Sequence, residues 1–167
     1  RAAALRQLST GLRRMQVAGT VTNLGFLGAL AEHQGFAAGD VDTGLIARDL
    51  EALVGAPKPA PEEVATAFLA ADGLLESDDP ETGFALWSPL WRPARLRCGE
   101  EEITARVASL SADAHDVDLS GDVIKARRVD GRWRMSGRME DEAVVTADRV
   151  TVFAGFGLRF DWVDPLA

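Results

Sequence analysis

Apolar residues recur every three or four places near the start of the chain and alternate with polar ones from about residue 95 onward, so two architectures are expected in series. Leu5, Leu8, Leu12 and Met15, opposed by Arg6, Arg13 and Arg14, predict an opening amphipathic helix. It starts without a capping residue before Arg1, as a segment of something longer would. Gly19 ends it. Thr22 or Asn23 is placed to cap a second helix carrying Leu24, Leu27 and Leu30 and stopping near His33 to Gly35. A third helix begins around Asp42 or Thr43, with Leu45, Ile46, Leu50, Leu53 and Val54 as its stripe and Gly55 at its C-terminal cap.

Residues 56–61 hold Pro57, Pro59 and Pro61 and no apolar period, which predicts a stiff linker between a segment 1–55 and a second domain, 62–167. Pro61 suits a first helical turn, and Glu62 and Glu63 complement the positive end of the helix dipole. From Val64 to Leu75 apolar residues point all round the axis, so this helix must be enclosed by protein. Gly73, which costs about 1 kcal/mol against alanine, is expected to fray or bend its last turn.

After an acidic loop from Ser77 to Gly83 and a proline-broken aromatic segment from Phe84 to Pro93, the period becomes two. Leu96 and Cys98, then Ile103, Ala105 and Val107, then Val117 and Leu119 alternate with charged or polar neighbours. Segments 123–129 and 132–135 flank Asp130-Gly131, the strongest hairpin signal in the chain; 143–147, 150–153 and 158–162 complete the series. The expected fold class is α+β: short N-terminal helices followed by an antiparallel β-barrel of about eight strands closed around a central α-helix.

The chain has 167 residues, a formal charge of −8 and one cysteine. That balance argues against nucleic acid as a partner, no run is long enough for a membrane-spanning helix, and Cys98 alone forms neither an intrachain disulfide nor a multi-cysteine zinc site. A reducing, cytoplasmic setting fits, or the mitochondrial matrix for a eukaryotic source.

Chemistry-bearing residues are sparse. His33 and His115 are the only imidazoles, and the run Asp113-Ala-His115-Asp116-Val-Asp118 scatters its side chains over both strand faces, so a solvated turn is expected there in place of a metal site. Cys98 reads as a small buried hydrophobe. The runs Glu100 to Glu102 and Glu140 to Glu142 read as exposed turns. A nucleophile elbow, a phosphate-binding glycine loop and a dinucleotide fingerprint are all missing. Phe84, Trp87, Leu90, Trp91 and Arg92 stand out, because an apolar loop broken by prolines must dock either on a partner or on the end of its own barrel.

Gly19-Thr-Val-Thr-Asn23-Leu-Gly-Phe26-Leu27 and His33-Gln-Gly-Phe36-Ala-Ala-Gly39-Asp40-Val-Asp42-Thr43-Gly44-Leu-Ile46 resemble the closing segment of a biotin carboxylase. From there on, Ser88-Pro89-Leu-Trp91-Arg92 and the terminal Asp161-Trp-Val-Asp164-Pro165-Leu166-Ala resemble landmarks of the linker domain of biotin-dependent acyl-CoA carboxylase alpha subunits. The 3-methylcrotonyl-CoA type is the most similar, with propionyl-, acetyl- and geranyl-CoA types as alternatives, and Leu45 stands where a phenylalanine is usual.

The resemblance implies a parent enzyme that uses ATP, bicarbonate and magnesium or manganese to carboxylate biotin, with the carboxyl group then passed to an acyl-CoA. Its implied partners are a carboxyltransferase beta subunit and the biotin carboxyl carrier domain of the same parent chain. The catalytic loops of such enzymes lie outside this stretch, and biotin attachment needs a lysine between methionines. The only lysines here are Lys58, between prolines, and Lys125, between Ile124 and Ala126. An inactive segment is therefore expected, with no catalytic residue, metal or cofactor of its own. Thr43 and Gly44 align with the edge of the parent's ATP pocket. The rival expectation is a stand-alone barrel for a small apolar ligand, which a helix filling the lumen would exclude.

Overall fold

The chain changes architecture where its apolar period changes. A computed structural model describes residues 1–42, 44–55 and 58–163. It divides into two units: Arg1–Lys58 with Gly155–Gly157, and Pro59–Ala154 with Leu158–Ala167.

In the first unit, α1 (Ala2–Arg13), α2 (Leu24–Glu32), α3 (Gln34–Ala38), α4 (Leu45–Arg48) and α5 (Leu50–Val54) are all short. Leu12, Leu24, Ala31, Leu45 and Leu53 are its buried apolar residues. Ser9 Oγ and Arg13 Nη2 both donate to Glu32 Oε1, at 2.6 and 2.7 Å, tying α1 to the end of α2 and holding the Glu32 carboxyl below its usual range.

Three expectations are adjusted in this unit. Asn23 occupies the N-cap of α2 but makes no side-chain cap bond. The chain resumes helix after His33, whose Nδ1 accepts the Phe36 N–H at 3.3 Å while Nε2 faces Asp49 Oδ2 at 3.3 Å. The single third helix is split in two at Asp49, which takes non-helical dihedrals with its carboxylate turned to His33 and Arg48. That diverts a short polar side chain from the helix pattern.

The second unit opens with α6 (Pro61–Ala71), Pro61 in its first turn and the Glu63 carboxylate accepting the Ala60 N–H at 2.6 Å. Gly73 does not fray this helix; it stops it. Its φ is +68°, its N–H bonds to the Ala70 carbonyl, and the Leu74 N–H reaches back to Leu69 at 2.9 Å. That pair of bonds is the Schellman arrangement, which needs a left-handed residue where glycine stands. Leu69 and Leu74 are both buried beside it.

Nine strands follow in one antiparallel sheet: β1 (Trp91–Cys98), β2 (Glu101–Ser111), β3 (Ala114–Leu119), β4 (Asp122–Val129), β5 (Arg132–Met135), β6 (Arg138–Met139), β7 (Ala143–Val145), β8 (Arg149–Val152) and β9 (Leu158–Trp162). The order is β6-β5-β4-β3-β2-β1-β9-β8-β7. Asp130 and Gly131 both have positive φ, 52° and 73°, between Val129 and Arg132, the tight hairpin that their identity predicts. The strand not anticipated is β6, two residues long and too short to show a period. Pro93 is tolerated in β1 because β9 runs beside that strand only at Leu96 and Arg97.

The sheet is a curled half-barrel rather than a closed cylinder. Its two edges, β6 and β7, share no ladder among the described residues, yet only residues 140–142 separate them in the chain. Four peptide steps span at most about 15 Å, so the sheet must bend round until its edges nearly meet. Helix α6 packs against β7 and β8 on one side of that seam and against β2 to β5 on the other. Phe68, Leu69, Ala65 and Ala67 join Leu96, Val107, Val117, Met135, Val150 and Phe160 in one core.

Candidate docking loop and the cavity beside it

The Schellman turn at Gly73 sends the chain out of α6 into a connection to β1 whose two halves are built differently. Its first half is fastened down. Trp133 Nε1 donates to the Leu75 carbonyl at 2.9 Å, and Arg128 donates to the Ser77 carbonyl at 2.9 Å and to Asp78 Oδ1 at 2.6 Å. Asp79 Oδ1 accepts the Glu81 N–H at 2.9 Å, and the Phe84 N–H bonds to the Glu81 carbonyl at 3.0 Å. At Gly83 the loop lies so close to β2 that a Cβ would stand 2.5 Å from the Leu110 carbonyl carbon.

Beyond Gly83 the loop projects. Phe84 is 79% exposed, Trp87 95% and Leu90 72%, with Leu86 equally bare. Of the side chains expected to dock on a partner or on their own barrel, Phe84, Trp87 and Leu90 are therefore mostly open to water. Trp91 begins β1 with the Arg106 guanidinium 5.5 Å over its ring, and Arg92 Nη2 lies 3.3 Å from Asp72 Oδ2. Asp72, at the surface but hemmed in by protein, has its carboxyl pushed up by desolvation against the pull of Arg92.

Between the loop and the sheet is a cavity of about 320 Å³. Leu74, Phe84 and Leu90 give it apolar walls, and Thr82, Arg92 and Ser109 supply polar groups. Ser109 Oγ is enclosed and has no hydrogen-bond partner among the described residues. Ser109 was missed in the sequence, although it continues the inward series Ala105, Val107 by one more step of two.

Directly across the ladder from Ser109 is His115, fully buried, which corrects its reading as part of a solvated turn. Neither ring nitrogen reaches a partner within hydrogen-bond geometry among the described residues. Burial presses its pKa down to about 4; the nearby Leu74 backbone opposes this, and Arg128 and Arg127 reinforce it.

Cys98 is partly buried against the core, and burial, then Glu101 and Asp161, push its thiol up, the opposite of what a nucleophile needs. Glu140 is not in an exposed turn: it is partly enclosed at the β6–β7 seam, and burial together with Asp141 pushes its carboxyl up to about 7. Gly44 is exposed, with its N–H held by Asp42 Oδ1 at 2.6 Å, and Arg48 holds the same carboxylate at 3.2 Å. That amide is already engaged by its own loop. Thr43, Ala56, Pro57 and the terminal Asp164-Pro165-Leu166-Ala lie outside the described residues.

Among the described residues no three His, Cys, Asp or Glu side chains are grouped to hold a metal, and no helix is long and apolar enough to cross a membrane. The chain matches no protein-family model and no curated protein.

Proposed function

We propose that the chain is the non-catalytic connecting part of a biotin-dependent acyl-CoA carboxylase alpha subunit, most similar to the 3-methylcrotonyl-CoA type. On this reading α6 is the central helix of the barrel-like sheet. The loop from Phe84 to Arg92 docks on the carboxyltransferase beta subunit. Holding the two catalytic parts in one particle lets the tethered biotin of the parent chain reach both sites at a high effective concentration.

The observation that carries this reading is the contrast within one connection: a base fixed by Arg128 and Trp133, and a tip that exposes Trp87 almost completely. A large aromatic held out in water by a rigid base is what an interface anchor looks like before its partner arrives. The rival, a barrel with a ligand in its lumen, is disfavoured by the core that α6 shares with the strands.

The test is co-purification with the carboxyltransferase beta subunit. Trp87→Ala with Leu90→Ala should weaken association at least tenfold, the scale of an anchor residue. Undiminished association would take the loop out of the interface.

A further inference from the structure

We infer that the outward face of the β4–β5 hairpin binds an extended acidic segment of a partner protein, with a carboxylate at every second residue. Ile124, Ala126, Trp133 and Met135 point into the core, so Val123, Lys125, Arg127, Val129, Arg132 and Arg134 point out, with Met139 of β6 beside Arg134. None of these outward residues is acidic, in a chain whose carboxylates outnumber its lysines and arginines by 26 to 18. Elsewhere on the outward face Arg95 meets Glu102 at 3.8 Å, Arg159 meets Asp161 at 2.7 Å, and Arg106 pairs with Asp118. Arg127 is taken by Asp116 at 2.8 Å. Lys125, Arg132 and Arg134 are exposed and make no ion pair among the described residues. Arg134 also stands directly across the ladder from Arg127, a like-charge pair that weakens a hairpin. A local rule broken against stability marks a place where function is to be sought.

Spacing selects the occupant. Lys125, then Arg127 with Arg134, then Val129 with Arg132 form three successive outward rows, about 7 Å apart along the strands. An extended peptide repeats its side chains on one face at the same interval, so carboxylates at i, i+2 and i+4 meet one free cation per row. A helical face repeats at about 5.4 Å per turn and falls out of step. A nucleic-acid strand or an anionic bilayer would run past the three rows onto Asp122 and Asp130, at the two ends of β4, in a chain of charge −8. Those carboxylates confine the site to a short segment.

The probe is a short peptide in which glutamate and leucine alternate, titrated into the whole chain beside its glutamine counterpart. Amide shifts should map to Lys125, Arg132 and Arg134, saturate near about 1 mM at low salt, and fade as salt rises. Arg134→Glu should weaken the glutamate peptide at least about tenfold and raise the thermal midpoint, because an opposite charge then faces Arg127. Binding lost while stability rises is not unfolding. Lys125→Gln with Arg132→Gln should weaken the peptide about fivefold, whereas Arg97→Gln, which removes an exposed charge from β1, should leave it unchanged. Equal binding of the glutamine peptide, an equal loss in Arg97→Gln, or shifts elsewhere would overturn the inference. So would tighter binding of oligothymidylate or of phosphatidylserine vesicles, either of which would make this a phosphate-binding surface. Self-association of the chain that Arg134→Glu abolishes would overturn it too, since the chain's own carboxylates would then be the occupant.

Discussion

The indole of Trp133 lies over the imidazole of His115, ring centres 5.0 Å apart and tilted by 31°, while its Nε1 donates to the Leu75 carbonyl at 2.9 Å. One side chain thus covers a buried histidine and fastens the exit from α6. Protonating His115 would bury a charge beside Trp133, Arg128 and Arg127, a cost that the Leu74 backbone and Asp113 offset only in part.

The pH consequence has a definite sign. His115 stays neutral in the folded chain down to about 4, whereas the unfolded chain takes up that proton near its ordinary value. Stability is therefore lost as pH falls through that interval, by about 3 kcal/mol in all, and no further loss from this residue follows below it. His115→Phe should flatten urea-denaturation stability between pH 6.5 and 4.5 while keeping the core filled. An unchanged slope would show that the imidazole is not the source.

Glu140 works in the opposite direction. Its carboxyl holds a proton in the folded chain up to about 7, which the unfolded chain has already released, so stability falls as pH rises through the intervening range. Glu140→Gln, an analogue of the protonated side chain, should raise the thermal midpoint at pH 8 and leave it alone at pH 4. Equal effects at both values would rule out titration at the seam.

Phe68 and Trp87 are both large aromatics, and the fold treats them oppositely. Phe68 is 1% exposed in the core of α6, and Phe68→Ala should cost about 3–5 kcal/mol in denaturant unfolding. Trp87→Ala should stay within about 0.5 kcal/mol of the parent chain. A large destabilisation by the latter would mean that Trp87 packs against this chain after all.

Gly73 tests the helix stop in isolation, since a Cβ there meets nothing within 4 Å and only the backbone conformation is at issue. Gly73→Ala should destabilise by about 1 kcal/mol and Gly73→Asn by less, because asparagine tolerates the left-handed region. Identical losses, measured by thermal unfolding, would point to packing instead.

Elements whose signals are local were legible beforehand. The boundaries of β5 and β9 coincide with the alternating runs 132–135 and 158–162, and Asp130-Gly131 turns as its composition requires. The all-round apolar pattern of α6 is matched by burial of Val64 through Ala70. The loop from Phe84 to Arg92 was visible as an aromatic run that prolines keep out of a ladder. Its exposure was not, because sequence shows that a side chain is apolar but not which surface meets it.

What the sequence determined by itself is therefore the order and type of the second unit's elements other than the two-residue β6, since period, turn chemistry and proline act over a few residues. What only the tertiary structure decided is where long-range neighbours fall. It brings β1 beside β9, leaves β6 and β7 as facing edges joined by three residues, buries His115, and opens a cavity at Ser109. Those outcomes depend on sheet curvature and on which side chains share one core. Such quantities arise from the sum of all pairings, and no short window of sequence contains them.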